Sequence, residues 1–199
     1  MSLLSRLRQK IHSVRHEGEV RAAYADGRLD EALRHARALY EFDLDNPWAN
    51  FLLACHHLES DRYGDALPHL NRVVRDWQDD AWAWYAIGVC QDREERPEEA
   101  VLAYRRALSL VPDWSKALKN IGRDLYLLGD YPAAEEALRR YCDASFDDKE
   151  AHDLLGYICY RQGKFMLSFR HYESARRLDP LNPKLERNAR LLYGRSATS

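Results

Sequence analysis

Small and apolar residues recur along the chain at helical spacing, and the recurrence itself repeats. Ala32, Ala66, Ala100 and Ala134 recur at one constant interval, and Ser168 continues the series. The segments around them are DEALRHARAL, GDALPHLNRV, EEAVLAYRRA, PAAEEALRRY and MLSFRHYESA. They are one helical pattern written five times. A second pattern runs ahead of each: Ile87-Gly88, Ile121-Gly122 and Leu155-Gly156, with Leu53-Ala54 and Glu19-Val20 in the matching places of the first two copies. Between the two patterns fall the turn signals ADGR, SDRY, REERP, LLGDYP and RQGKF. Each copy therefore predicts a helix, a tight turn and a helix. A glycine inside a helix costs about 1 kcal/mol of propensity, so close approach of a neighbouring helix is the expected reason for it. One such hairpin cannot bury its apolar side alone; stacking neighbours makes a continuous core.

The stretch WYAIGVCQDREERPEEAVLAYRRALSLVP runs from Trp84 to Pro112. It holds a tryptophan, a hydrophobic-glycine pair, an alanine, an aromatic, a second alanine and a closing proline in the order that resembles the tetratricopeptide repeat family. The resemblance covers about residues 13 to 182. It implies an all-α fold: a right-handed α-solenoid of about five helix-turn-helix repeats, at about 13–46, 47–80, 81–114, 115–148 and 149–182. A basic amphipathic extension, 1–12, precedes them. A capping helix, 183–194, follows, with Leu185, Ala189, Leu192 and Tyr193 along one face, and 195–199 forms a tail. Three departures bear on packing. Asn50 stands where Trp84 stands one copy later. Glu19 takes a place usually held by a core leucine, which puts the packing of the first A helix in question. Pro68 falls inside the second helix of repeat two and is expected to kink or delay it.

The octet AWAWYAIG, Ala81 to Gly88, holds more aromatics than one buried face can use. At about 100° per residue, Trp84, Ile87, Gly88 and Gln91 share the side that carries the repeat signature, so Trp84 is expected in the core. Trp82, Tyr85 and Val89 share another side. In the family that second side lines a concave groove in which partner peptides bind. The same three places hold Val14, Glu17 and Arg21 in repeat one, and Trp48, Phe51 and Cys55 in repeat two. They hold Lys116, Lys119 and Arg123 in repeat four, and Glu150, Asp153 and Tyr157 in repeat five. The resemblance thus implies a groove lined by Trp48, Phe51, Cys55, Trp82, Tyr85, Val89, Lys116, Lys119, Asn120, Arg123 and Tyr157. It is aromatic in its middle, then basic, then acidic. The competing readings are intramolecular: a neighbouring segment covers the rings, and the three cations pair with Glu150 and Asp153. Some family members clamp the C-terminal carboxylate of heat-shock chaperones. Asn120 fits the middle asparagine of that clamp, but Tyr85, Val89, Glu150 and Leu154 stand where its other polar residues belong, which argues against that use.

Composition narrows the function classes. The chain is 46% hydrophobic and 31% charged, as a folded globular protein is. A net charge of −2 disfavours nucleic acid as a partner. Cys55, Cys90, Cys142 and Cys159 form no CxxC pair and read as small buried hydrophobes in a reducing compartment. No apolar run reaches about 18 residues, and the start lacks the apolar core of a secretory signal. Residues 1–16 carry Arg6, Arg8, Lys10 and Arg15 without an acid, with Leu3, Leu4, Leu7, Ile11 and Val14 at helical spacing. Three readings compete there: an extension packed on repeat one, a membrane-surface helix, and a mitochondrial targeting segment.

Chemistry is sparse. There is no phosphate-binding glycine loop, no HExxH and no GxSxG. His12 and His16 lie one helical turn apart but lack a further ligand in the sequence, and His56-His57 point to different sides of a helix. No catalytic residue, metal or cofactor is assigned. The expectation is a non-enzymatic, cytoplasmic adaptor that holds a partner's peptide segment of apolar and acidic residues. The alternatives are a membrane-surface assembly factor recruited through residues 1–16 and a self-assembling scaffold, a homo-oligomer.

Overall fold

A computed structural model describes the backbone of residues 3–144 and 148–196, with side chains at 14–144, 148–188 and Leu192. Among these residues all regular structure is helical. The helices are α1 (Leu3–Ala25), α2 (Leu29–Phe42), α3 (Pro47–Glu59), α4 (Tyr63–Asp76), α5 (Ala81–Arg93), α6 (Pro97–Leu110), α7 (Ser115–Leu127), α8 (Tyr131–Ala144), α9 (Lys149–Arg161), α10 (Phe165–Leu178) and α11 (Pro183–Ser196). From α2 onward every second helix starts one full repeat after its predecessor, always in the same register. The all-α repeat class expected from the pattern is the one observed.

The chain forms two compact units, Met1–Arg96 and Pro97–Ser199. In the first, α1 to α5 pack each against the next; in the second, α6 to α11 do so. The recurring alanines are the tightest points. Ala32, Ala66, Ala100, Ala134 and Ser168 have no exposed surface. The Ser168 hydroxyl donates to the Gly156 carbonyl at 2.7 Å, so α10 sits directly on the backbone of α9. A Cβ built on Gly156 would stand 2.9 Å from the Tyr172 ring, and one on Gly122 would stand 2.6 Å from Leu138 Cγ. Close approach is therefore the reason for both glycines.

Local signals set the helix ends. Asn46, Asp80 and Asp148 cap α3, α5 and α9 by accepting backbone N–H bonds, as N-cap residues do. Pro47, Pro97 and Pro183 occupy the first helical position, where a missing N–H costs nothing. Each hairpin turn places one residue at left-handed φ: Gly27, Asp61, Glu95, Gly129 and Gly163, at 73°, 55°, 59°, 80° and 75°. Repeats two and three thus use an acidic residue where glycine is the unstrained choice.

Several expectations need correction. Of the extension expected at 1–12, residues 3–12 belong to α1, which runs unbroken from Leu3 to Ala25, and the side chains of 1–13 lie outside the described residues. Pro68 neither delays nor ends its helix, since α4 starts in register with α6 and α8 and continues to Asp76. Proline at the sixth helical position forfeits one N–H bond and leaves the rest of the ladder intact. The packing of the first A helix, in question because of Glu19, holds: Glu19 is half-buried, and Val20 and Ala23, 0% and 1% exposed, anchor α1. Trp84 is half-buried, not core, and its indole N–H donates to the Gln78 carbonyl at 2.9 Å. The helix α11 passes Gly194 to reach Ser196, with Leu185 and Leu192 buried beside Tyr172 and Ala175. All four cysteines are free, and burial pushes their thiols up, to about 12 for Cys55 and Cys90 and to about 11 for Cys142 and Cys159.

The contact at Gly156 is directly testable. Gly156→Ala forces the Tyr172 ring to move and should destabilise the protein by about 1–3 kcal/mol, the usual cost of overpacking. Urea denaturation of the variant measures it. An unchanged midpoint would show that the hairpin is loose there.

Candidate functional site

Within the first unit, helices α1, α3 and α5 and the end of α4 bring five aromatic rings together. Phe51 is the hub. Its ring lies 5.8 Å from Tyr24, 6.3 Å from Trp48, 5.9 Å from Trp77 and 5.2 Å from Trp82, between centroids. Trp48 also meets Trp77 edge-on at 5.0 Å and Tyr24 at 6.2 Å, and the Arg21 guanidinium lies 5.6 Å over the Trp48 ring. Edge-to-face contacts dominate, the geometry that the aromatic quadrupole favours. Trp48 and Phe51 back onto the core formed by Val20, Ala32, Leu39 and Leu52. Tyr24 is 40% exposed, and the other four rings are only partly covered.

The structure therefore unites Trp48, Phe51 and Trp82 among the candidates, and adds Tyr24, Trp77 and Arg21. Cys55 is half-buried on α3, and Tyr85 and Val89 are half-buried on α5. Tyr24 was legible as the next step of the helical stripe Val14, Glu17, Arg21. Trp77 follows the last residue of α4, off any helical stripe, so no periodicity points to it.

In the second unit the basic candidates part company. Lys119 Nζ donates to Asp148 at 2.7 Å and lies 3.4 Å from Glu150. The Tyr141 hydroxyl donates to the same Asp148 oxygen at 2.7 Å. Burial acts to raise the Asp148 carboxyl, but the bonds from Lys119, Tyr141 and the Ala151 N–H outweigh it and hold it at about 2. The bond to Asp148 in turn raises Lys119. Lys119 is thus engaged by an acid within its own unit. Lys116 and Arg123 are exposed, and Arg123 reaches the buried Asp124 at 3.4 Å. Asn120 donates to the Tyr104 hydroxyl at 3.2 Å. Tyr157 meets Tyr126 edge-on at 5.7 Å, and Arg161 donates to its hydroxyl and lies over the Tyr131 ring.

A rule relates the two units. The Asn46 side chain that caps α3 donates to Glu17 at 3.0 Å, and the Asp148 that caps α9 accepts from Lys119. Glu17 and Lys119 hold the same repeat place, and so do Phe51 and Tyr85. In repeats one and four the polar residue there binds the next repeat's cap, and in repeat five Asp153 at the same place pairs with Lys184 at 2.9 Å.

Histidines obey a second repeat rule, pairing across a hairpin at a fixed separation. His16 and His35 have ring centroids 5.9 Å apart, Asn50 Oδ1 lies 2.8 Å from His69 Nδ1, and His152 Nδ1 lies 3.3 Å from His171 Nδ1. The equivalent places of repeat four hold Leu118 and Ala137, both buried. Burial lowers His57, His69 and His171, and neighbouring positive charge lowers them further: Arg62 at His57, His57 at His69, and His152 at His171. On α8, Glu135 acts the opposite way on His171.

The family model for the tetratricopeptide repeat matches residues 51–114 and 119–183. No curated protein matches the chain in sequence. Several solved structures share its fold. YrrB, described as "a TPR protein with an unusual peptide-binding site", superposes with a TM-score of 0.75 at 15% identity, over 96% of this chain and 98% of that one. MamA 41-end from Desulfovibrio magneticus RS-1 does so at 0.66 and 14%, over 86% and 97%. A chain of the APC/C hetero-tetramer Cut9-Hcn1 does so at 0.60 and 17%, over 87% of this chain and 35% of that one. Identities this low carry the fold alone.

Two measurements test the electrostatics. Asp148→Asn keeps an N-cap acceptor but removes the carboxylate from Lys119 and Tyr141, whereas Asp148→Ala removes both; alanine should cost about 1 kcal/mol more in urea denaturation. Equal losses would mean that the cap contributes nothing. Histidines lowered in the folded state make the unfolded chain bind more protons just below its ordinary histidine pKa of about 6.5. Stability should therefore be full above that pH and fall as the pH drops through it towards the lower folded values. Replacing His152 by Leu and His171 by Ala, the pair that repeat four uses, should reduce the slope between pH 7 and pH 5. An unchanged slope would clear this pair of any part in it.

Proposed function

Because the chain belongs to the tetratricopeptide repeat family, a family of protein-interaction modules, we propose that it is a non-enzymatic adaptor whose first unit anchors a partner's apolar segment on the Phe51-centred ring cluster. The carrying observation is the cluster itself. Five rings, from three helices and the end of a fourth, meet within 6.3 Å of a neighbour, yet none is fully covered within the unit. Large aromatic patches left partly open on a folded surface mark interaction sites. Trp and Tyr give much contact area for little loss of side-chain freedom, which is why they dominate binding hot spots. Arg21 beside Trp48 adds a cation at the rim, suited to an acidic or carbonyl-rich flank of the segment.

The second unit supports a narrower role than the sequence suggested. Lys119 is already paired with Asp148, and Arg123 reaches Asp124, so the exposed Lys116 is the better candidate to orient an acidic group. Among the described residues no helix is long and apolar enough to cross a membrane.

Trp82 is the side chain to truncate. Trp48 and Phe51 also support the core, whereas Trp82 joins the cluster through its contact with Phe51. Capture from native extract by wild type and by Trp82→Ala, both checked for helicity, tests the reading. A partner should lose at least about 2 kcal/mol of affinity, roughly thirtyfold, with the variant. A partner held equally by both would move binding away from the rings.

A further inference from the structure

The α1–α2 hairpin carries a cluster that the adaptor reading does not use. His16 and Glu19 lie one turn apart on α1, hence on one face, and His35 reaches them from α2. Glu19 Oε2 stands 3.0 Å from His16 Nδ1 and 3.0 Å from His35 Nδ1. One donor atom from each residue lies within 4.8 Å of the other two. We propose that His16, Glu19 and His35 form a binding site for a single first-row transition-metal ion of the zinc class.

Distances, donor types and orientation all agree. Zinc bonds of about 2.0–2.2 Å at tetrahedral angles put neighbouring donors roughly 3.3–3.5 Å apart, so the two 3.0 Å separations from Glu19 need to widen by only a few tenths of an ångström, and the two imidazole donors, within 4.8 Å of each other, need to settle to the same spacing. Two imidazoles and one carboxylate suit Zn²⁺, Co²⁺ or Ni²⁺, while Mg²⁺ and Ca²⁺ prefer oxygen throughout. Three protein ligands leave a fourth position for water or another donor.

The surroundings fix the ligands in place. Arg15 donates to Glu19 Oε1 at 3.0 Å, which leaves Oε2 as the metal-facing oxygen. His35 Nε2 faces the Glu31 carboxylate at 3.8 Å. When an ion takes the place of the proton that His35 Nδ1 shares with Glu19, the remaining proton sits on Nε2 facing that carboxylate, the arrangement outer carboxylates give to metal-bound histidines. The His16 ring stacks on Phe42 at 6.2 Å with 8° between planes, which limits its rotation. The side chains of the three ligands are 19%, 31% and 28% exposed, shielded yet open to an ion. The Arg15 guanidinium opposes a cation, and Glu19 and Glu31 offset it.

The test uses the full chain without a histidine tag. Co²⁺ titration followed by visible absorption and Zn²⁺ titration calorimetry should each show one saturable equivalent, with strong d–d bands indicating four-coordinate cobalt. Glu19→Gln, which keeps the shape of the side chain, and His35→Ala should each weaken binding at least tenfold while helicity is retained. His152→Ala, in the other histidine pair, should bind as wild type does. Absence of a saturable equivalent, or wild-type affinity in either Glu19→Gln or His35→Ala, overturns the site.

Discussion

Helix backbones that touch with almost nothing between them are the constraint on which this protein is built. At Gly156 the space for a side chain is already filled by the Tyr172 ring, and Ser168 bonds the carbonyl beneath it. Alanines keep the same distance short in the other copies. Such contacts are short-range, so each helix needs only its neighbours, and core residues appear at a fixed interval along the chain. Few wide side chains fit in the hairpin interiors, Tyr104 and Tyr172 among them. Phe51 and its ring neighbours stand on another side of the helices, only partly covered.

This division explains what the sequence made legible. Helix positions followed from the period because caps, turns and small residues all recur with it, and agreement among levels is what a well-specified fold shows. Trp48, Phe51 and Trp82 were readable because they keep to one stripe of an A helix. Tyr24 continues that stripe beyond the three places considered, and Tyr126 is its counterpart in repeat four. Trp77 was not readable, since it sits at a helix end, where no periodicity acts. Proline at 68 looked disruptive because propensity is local, whereas packing on both sides sustains the helix around it. Lys119 and Asp148 lie far apart in the chain, a separation that means nothing until the repeat places one helix start beside the previous helix. The His16–Glu19–His35 cluster needed the turn between α1 and α2 for the same reason.

Polar residues are used differently from aromatic ones. Glu17 and Lys119 occupy the place that Phe51 and Tyr85 occupy elsewhere, and both bind the cap of the next repeat's first helix. A charge on the candidate binding face can thus be structural, fixing how successive helices meet, and net charge along that face overstates what remains for a partner. Among the rings, Trp48 and Phe51 also support the core, whereas Trp82 is held through Phe51.

The constant register of the helix starts, from Leu29 to Pro183, bears on how such a chain changes over generations. A gain or loss of one whole repeat, cut anywhere, rejoins helix to helix at the same phase and restores the same kind of neighbour contact. A gain or loss of any other length inside a helix turns the residues beyond it by about 100° each and takes their small side chains off the neighbouring helix. Recombination between copies is therefore tolerated where small insertions within a helix are not, and length becomes a trait that can vary in whole steps while each copy keeps its own surface chemistry.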